Sequence, residues 1–124
     1  MIQLRSVLNV CDNSGAKQLR VIQVYGGSSR RFGYVGDLVR ASVISSDPKG
    51  TVKKGEKVVA VLVRARKEQR RENGEYIRFD DNAAVIVESR ANPEPLGTRV
   101  FGPIAREVRD AGYTKIISLA QEVW

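Results

Sequence analysis

The sequence of 124 residues contains no histidine and only one cysteine, Cys11. Without histidine the chain lacks the side chain that most often exchanges protons near neutral pH, and a nucleophile built from a Cys–His pair is excluded. One cysteine without histidine does not make a zinc site either, so neither a metal nor another cofactor is expected. A single cysteine cannot form a disulfide within the chain, which fits a reducing compartment.

Long apolar runs and acid/base pairs are missing as well. No stretch approaches the roughly 18 apolar residues that cross a membrane, and residues 1–6 lack the apolar centre of a signal peptide, so no membrane partner is expected. Asp80 and Asp81 are adjacent, and neighbours on a strand point to opposite faces, so we expect them to cap a turn or to pair with Arg78. Residues 26–31 lack the spacing of a nucleotide-binding P-loop. We therefore expect no catalytic residues and no enzyme activity.

Positive charge, in contrast, is in excess. The chain has 21 lysines and arginines against 14 acidic residues, a net charge of +7. Hydrophobic residues make up 42%, which is enough to build the core of one domain spanning residues 1–124. Basic proteins attract polyanions because their cations displace counterions from phosphates. A merely basic soluble protein has the same composition, so the positions of the cations have to distinguish the two interpretations.

Short β-branched runs dominate the first part of the chain. Predicted strands cover Leu4–Val10, Leu19–Tyr25 and Leu38–Ser45, and each is followed by a cluster of glycine, serine, asparagine, aspartate or proline. Two further apolar runs follow. Five or more short strands with a turn about every 8–12 residues predict a small closed β-barrel or a β-sandwich.

The segment from Val58 to Val87 has the most informative pattern. Apolar runs at 58–63 and 83–87 flank a stretch, Arg64–Arg71, that carries five cations in eight positions and is followed by Asn73-Gly74. Asn-Gly between strand-like runs predicts a hairpin with a type I′ turn, because both residues tolerate a positive φ. The apolar runs would anchor in the core while the cationic arms project. Such a hairpin suits a partner made of phosphates, and nucleic acid is the first prediction.

The last third of the chain changes character. Residues 92–97 hold two prolines, which cannot lie inside a strand ladder, and therefore form a loop. Pro103 is predicted to open a helix, because its missing N–H costs nothing at the first helical position, and Gly112 is predicted to end it. A final turn is expected at 120–124. A short helical region therefore covers about 103–124.

Basic clusters and two aromatic rings bear on the choice of partner. Arg30-Arg31, the lysines of 49–57 and the hairpin form three clusters that can meet phosphate, although any one of these cations alone is equally well explained as a solvated surface charge. Phe32 and Tyr34 are two apart and share a face if the segment is extended. Stacking on unpaired bases would make the chain a free-standing single-strand nucleic-acid chaperone. Packing of both rings in the core or a turn is the favoured alternative.

Several motifs occur along the whole chain in a specific order and spacing. They include Asn9-Val10 with Asp12–Ala16, then Val52–Gly55, the block 60–86, Gly97–Pro103 and Lys115–Ala120. Each motif is weak alone, but the order and spacing are highly specific. Through them the chain closely resembles the ribosomal large-subunit protein number fourteen family, in its short bacterial or organellar form.

The resemblance implies a five-stranded β-barrel with a projecting β-hairpin and a short helical C-terminal region. Members of that family bind large-subunit rRNA, pack beside neighbouring large-subunit ribosomal proteins and meet small-subunit rRNA at an intersubunit bridge. The location implied is the ribosome, in the cytoplasm or in an organelle. In bacterial members a ribosome-silencing factor binds the C-terminal region, which here corresponds to Thr98, Arg99 and Lys115. By analogy, the rRNA contacts expected are Arg30, Arg31, Lys53, Lys54, Arg64, Arg66, Arg70 and Arg71.

Overall fold

The computed structural model describes residues 2–26 and 31–124. In chain order the elements are β1 (Val7–Val10), β2 (Ala16–Val24), β3 (Leu38–Ser46), β4 (Lys57–Arg64), β5 (Gln69–Arg70), β6 (Tyr76–Ile77), β7 (Ala83–Val87), β8 (Val100–Ile104), α1 (Glu107–Asp110), α2 (Thr114–Leu119) and β9 (Ala120–Val123). Strands β1, β2, β3, β4 and β7 close into a barrel in that order, with β7 parallel to β1 and the other neighbouring pairs antiparallel. The predicted mainly-β fold with a five-stranded barrel is confirmed, and the sandwich alternative is wrong.

Small and β-branched side chains fill the interior of the barrel, because alternate residues of each strand point inward. Along β3, Val39, Ala41 and Val43 are buried, whereas Arg40 between them is exposed. The register between β2 and β3 shifts at three points. Such bulges increase the bend and twist of a strand, which a barrel closed by only five short strands requires.

A second core lies between the barrel and the C-terminal segment. Ala60 and Leu62 of β4 belong to the core inside the barrel, whereas Val61 and Val63 belong to the second core. β4 and β7 are thus covered on both faces, which explains why their apolar runs are continuous rather than alternating. The C-terminal segment contributes Val100, Ile104, Ala105, Val108 and Ile116 to this core.

The predicted hairpin leaves the barrel between β4 and β7, and β5 pairs with β6 inside it. Its turn is not type I′, because among the described residues the only non-glycine with a positive φ lies outside the hairpin, and Asn73 therefore lacks the required conformation. Gly74 alone has a positive φ, +86°. The Gly74 N–H donates to the Arg71 carbonyl at 3.0 Å and the Arg71 N–H donates to the Glu75 carbonyl at 2.7 Å. The turn is a three-residue loop in which only the glycine position needs a left-handed backbone.

The first two strands start at other residues than predicted. β1 begins at Val7 rather than at Leu4, because a turn with Arg5 at a φ of +70° precedes it. β2 begins at Ala16, three residues before the predicted Leu19. The residues added to β2 are too polar to suggest a strand by themselves, and their pairing with the end of β3 makes them extended.

The C-terminal region is less helical than predicted. Pro103 lies in β8 and not at the start of a helix, because β8 is held on one side by β9 and on the other by a hydrogen bond from the Phe101 N–H to the Cys11 carbonyl at 2.6 Å. α1 begins at Glu107, and 120–123 forms β9, parallel to β8, instead of a helical turn. Neither helix in the described part of the chain is long and apolar enough to span a membrane.

Candidate nucleic-acid interface

Arg64, the last residue of β4, fastens the base of the hairpin. Its guanidinium donates to both carboxylate oxygens of Asp81, with Nε–Oδ1 at 3.0 Å and Nη2–Oδ2 at 3.3 Å. Its Nη1 also donates to the carbonyl oxygens of Phe101 at 3.1 Å and Pro103 at 3.0 Å. Gly102, between these two carbonyls, has a φ of +75°, and a Cβ there would lie 2.6 Å from Nη1. The arginine side chain is only 12% exposed and joins the hairpin to β8.

Arg71 fastens the outer part of the hairpin in the same way. Its guanidinium donates to Glu107 of α1, with Nε–Oε1 at 2.6 Å and Nη2–Oε2 at 3.3 Å, and Nη2 also donates to the Trp124 carbonyl. The arginine and glutamate side chains are 12% and 18% exposed. The guanidinium could not turn toward an external phosphate without giving up these partners. The rRNA contacts predicted for Arg64 and Arg71 therefore stay predictions. In the structure, both side chains bind acidic residues of the same chain.

The sequence did not reveal the acidic partners of these two arginines. Asp81 pairs with Arg64, so the expected pairing with Arg78 is wrong for this carboxylate. The same carboxylate accepts a hydrogen bond from Nδ2 of Asn9 at 3.1 Å. Glu107 lies 36 positions from its arginine, and Asp81 lies 17 positions from its own. No local pattern connects residues so far apart, because the tertiary fold alone brings them together.

Two of the four predicted hairpin contacts are exposed. Arg66 and Arg70 are exposed, and neither forms an ion pair within residues 2–26 and 31–124. The Arg66 backbone is fixed, since its N–H donates to Oδ1 of Asn82 at 2.9 Å. At the next residues Lys67 and Glu68 form an exposed ion pair at 3.4 Å, which reduces the net charge there. Arg66 and Arg70 thus present their guanidiniums from a backbone that is already held in place, and Arg78, after β6, is a third exposed arginine without an ion pair in the described part of the chain.

A second exposed basic feature is the turn between β3 and β4, which carries Lys53 and Lys54. Both lysines are exposed, whereas Val52 before them is 2% exposed and anchors the turn in the barrel core. The Val52 N–H donates to the Ser14 carbonyl at 3.4 Å, and the turn is closed by the Glu56 N–H donating to the Lys53 carbonyl at 3.2 Å. The two cations therefore project from a preformed turn.

The third predicted cluster is described only in part. Arg30 lies outside the described residues, and Arg31 is exposed. Phe32 is 37% exposed and Tyr34 is 44% exposed. More than half of each aromatic residue is therefore covered by the protein, and an accessible part remains. Gly33 between them forms a bridge with Ile2, which ties this segment to the start of the chain.

The residues predicted to meet a protein partner lie on the C-terminal side of the molecule. Oδ1 of Asn13 accepts from the Thr98 N–H at 2.8 Å and the Arg99 N–H at 3.2 Å, while Nδ2 of Asn13 donates to the Thr98 hydroxyl at 2.8 Å. Lys115 forms an ion pair of 2.6 Å with Glu94, which lies in the loop that leads to Thr98. All three predicted residues are exposed, and this loop is pinned to the turn between β1 and β2.

Two buried titratable residues, Cys11 and Asp12, directly precede Asn13 in the chain. Cys11 is 5% exposed, and burial raises the pKa of its thiol to about 12. Asp12 is 7% exposed and accepts from the Ser14 hydroxyl at 2.6 Å, the Ser14 N–H at 3.1 Å and the Ile86 N–H at 3.1 Å. Burial raises the pKa of Asp12, and these hydrogen bonds oppose the shift. Within the described residues no three histidine, cysteine or acidic side chains are grouped so that they could hold a metal ion.

Two comparisons with known proteins bear on the identity of the chain. A family model described as "Ribosomal protein L14p/L23e" matches residues 1–124. The curated protein "Large ribosomal subunit protein uL14" of Petrotoga mobilis (strain DSM 10674 / SJ95) is 60% identical over 124 residues, which is 100% of both chains. With a match of this extent, the chain belongs to the ribosomal protein L14p/L23e family.

Proposed function

We propose that the chain is a structural component of the large ribosomal subunit and binds large-subunit rRNA through its exposed basic residues. Its family, and the name of the Petrotoga mobilis relative, support the place in the large subunit. That family consists of structural ribosomal proteins rather than enzymes. The proposed location is accordingly the ribosome, in the cytoplasm. The proposed rRNA contacts are Arg31, Lys53, Lys54, Arg66 and Arg70, together with Arg30, which lies outside the described residues.

The observation that carries this proposal is the division of roles among the hairpin arginines. Arg64 and Arg71 are each 12% exposed and spend their hydrogen bonds inside the protein. Arg66 lies two positions after Arg64, and Arg70 lies one position before Arg71. Both are exposed, and neither has an ion pair within the described part of the chain. We assign the first two to holding the hairpin and the other two to meeting phosphates. A hairpin held in advance loses little conformational entropy on binding.

Such a surface suits folded RNA better than a specific sequence. The deep, narrow major groove of an RNA duplex hides its base edges, so phosphates, 2′-hydroxyls and overall shape are what a side chain can reach. Guanidiniums bind phosphate oxygens in a bidentate geometry, and the lysine turn adds point charges. Binding should therefore weaken steeply with salt, because each phosphate contact releases counterions.

Two further parts of the proposal come from the family resemblance. The bound protein would pack beside neighbouring large-subunit proteins and contribute to a bridge with small-subunit rRNA. The C-terminal surface of Thr98, Arg99 and Lys115 would receive a ribosome-silencing factor. Exposure of these three side chains and the fixed backbone of their loop support a protein-binding role.

Charge reversal at the two exposed hairpin arginines tests the RNA-binding role. Tagged wild type and the R66E/R70E variant would be expressed in cells and followed by immunoblot through a sucrose gradient at low magnesium. We expect wild type to migrate with the large subunit and R66E/R70E to accumulate at the top, with unchanged circular dichroism. R90E/R109E is the matched control, because it makes the same charge change at exposed positions outside the proposed contacts. Normal incorporation of R66E/R70E would contradict the assignment of the hairpin, and wild type at the top would contradict the proposal as a whole.

A second candidate is a free single-strand nucleic-acid chaperone, and the partial exposure of Phe32 and Tyr34 favours it. Base stacking on Tyr34 should quench tyrosine fluorescence when a single-stranded oligonucleotide is added. The Y34L variant should then lose most of the quench. Absence of any quench in wild type would eliminate this candidate.

A further inference from the structure

Asparagine followed by glycine is a chemically reactive pair as well as a turn signal, and the sequence contains one such pair, Asn73-Gly74. The backbone nitrogen of the second residue can attack Cγ of the asparagine side chain, because the two atoms close a succinimide ring. A side chain on the second residue hinders this attack, whereas glycine has none. The reaction also needs a turn that can deform, so the fold decides which asparagines react.

The geometry at the hairpin tip brings the reacting groups together. Asn73 and Gly74 are both exposed, and a Cβ built on Gly74 would meet nothing within 4 Å. Oδ1 of Asn73 accepts a hydrogen bond from the Glu75 N–H at 3.1 Å. The loop of atoms closed by this bond contains both Cγ of Asn73 and the nitrogen of Gly74, so the side chain is already folded back along its own backbone. A donor at Oδ1 also stabilises the negative charge that develops on this oxygen when Cγ is attacked.

A single backbone hydrogen bond of Gly74 opposes the attack. The Gly74 N–H donates to the Arg71 carbonyl at 3.0 Å, and this bond has to break before the nitrogen can reach Cγ. The turn lies at the end of a hairpin in which β5 and β6 pair through only two residues each. Exposed tips with so little pairing open locally at a free-energy cost far below that of global unfolding.

Asn13-Ser14 is the informative comparison, because serine is also a small residue. The side chain of Asn13 is fixed, since Oδ1 accepts from the N–H groups of Thr98 and Arg99 and Nδ2 donates to the Thr98 hydroxyl. The Ser14 N–H donates to the buried Asp12 carboxylate at 3.1 Å, and Ser14 is 3% exposed. Neither reacting group can move without breaking several bonds of the folded core, so this pair is protected.

The remaining asparagines are excluded by the residue that follows each of them. Asn9 and Asn82 precede residues of the barrel strands β1 and β7, whose backbones are held in strand ladders. Asn92 precedes proline, which has no N–H. Sequence and fold together therefore single out Asn73.

We propose that Asn73 is a site of spontaneous deamidation, which places a new carboxylate at the tip of the hairpin. The Gly74 nitrogen gives its proton to water and forms a bond to Cγ, and Nδ2 takes a proton from water and leaves as ammonia. Water then adds to one ring carbonyl, the C–N bond there breaks, and the nitrogen regains its proton. Cleavage at Cγ leaves aspartate, whereas cleavage at the backbone carbonyl leaves isoaspartate, in which the main chain runs through the side chain. Either product carries a negative charge, and water is the only co-reactant.

The new charge would lie beside cations of the hairpin. Asn73 lines a groove between the hairpin tip and α1, together with Arg70 and Arg106. A carboxylate there competes with phosphate for these guanidiniums, and isoaspartate in addition lengthens the main chain of the turn. Deamidation should therefore weaken RNA binding by the hairpin. The chemical step is independent of the proposed function, whereas this consequence rests on it.

Peptide mapping of the full chain tests the chemical step. Folded protein would be kept at mildly alkaline pH, sampled over days, briefly digested with trypsin and analysed by mass spectrometry. Residues 72–78 form one tryptic peptide and residues 6–17 another, so Asn73 and Asn13 are followed in the same sample. We expect Asn73 to convert at least about ten times faster than Asn13, because an exposed tip opens far more readily than a buried segment. The converted 72–78 peptide should also be methylated by an isoaspartyl methyltransferase, which labels isoaspartate.

A variant and an unfolded sample make the chemical result specific. N73Q keeps the amide but would have to close a larger ring, so its 72–78 peptide should stay unconverted. Unfolding wild type in urea should accelerate conversion at Asn13 much more than at Asn73, because the fold protects only the first. Equal rates at the two sites in folded protein, or no conversion at Asn73, would overturn the proposal.

The effect on RNA is measured separately, by filter retention with a large-subunit rRNA transcript. N73D carries the charge of the product and should bind about two- to fivefold more weakly than N73Q at low salt, because a single added charge acts through water and counterions. If Asn73 deamidates but N73D binds like N73Q, the modification site stands and its effect on RNA is refuted. If wild type binds no RNA, the proposed function fails together with this effect, while conversion in the peptide map still establishes the site.

Discussion

Replacement of Arg64 by methionine should destabilise the protein more than any other change in the hairpin. Methionine keeps most of the volume of the stem but removes four hydrogen bonds, two to Asp81 and two to the carbonyls of Phe101 and Pro103. Breaking a buried ion pair costs about 3–5 kcal/mol. The Asp81 side chain is 33% exposed, however, and water can solvate part of it once the arginine is gone. We therefore expect the free energy of unfolding to fall by about 3 kcal/mol.

Urea unfolding followed by circular dichroism measures this change, and R66M is the matched control. Arg66 is exposed and lies two positions away, so its replacement should cost less than about 0.5 kcal/mol. D81N in combination with R64M completes a double-mutant cycle, which should show a coupling of about 1–2 kcal/mol. A loss below about 1 kcal/mol for R64M, or one equal to that of R66M, would refute the claim that this guanidinium holds the hairpin against β8.

Three other predictions concern single positions. Alanine at Gly102 should lower the free energy of unfolding more than alanine at Gly74. Both residues have a positive φ (+75° and +86°), but only at Gly102 would a Cβ meet a guanidinium, at 2.6 Å. The difference between the urea midpoints of G102A and G74A therefore measures this clash. Cys11, with its pKa raised to about 12, should not react with a thiol reagent at pH 8 until the protein is unfolded. The ordinary pKa of this thiol is 9.0, so between pH 9 and about 12 only the unfolded chain loses the proton. The free energy of unfolding of wild type should therefore fall with rising pH in this range, relative to that of C11A. D12A should lower the free energy of unfolding by about 2–4 kcal/mol because it leaves buried donors unpaired. Burial raises the pKa of Asp12 above 3.8, so acidification toward pH 3.8 should stabilise wild type relative to D12N; a constant difference across pH would contradict that shift.

The hairpin illustrates how far the sequence carries a prediction. Its two apolar roots and its position were predictable, because β4 and β7 are continuous apolar runs on either side of Asn73-Gly74. The type of turn was not, because Asn-Gly is also compatible with a three-residue loop in which only Gly74 has a positive φ. The wrong helix start at Pro103 has the same cause: local preference favoured a helix, and pairing with β9 made the segment a strand.

The charge pattern by itself predicted a polyanionic partner, and the order of its motifs indicated its family. Those properties depend on residue type and spacing alone, which the chain carries whether or not it is folded. Only the tertiary structure decided which cations are available. Arg64 and Arg71 look like Arg66 and Arg70 in sequence, but Asp81 and Glu107 reach the first pair from 17 and 36 positions away. The pairing of β2 with β3 and of β3 with β4 likewise places Arg20 and Lys57 in one row, because strand register joins residues that are distant along the chain.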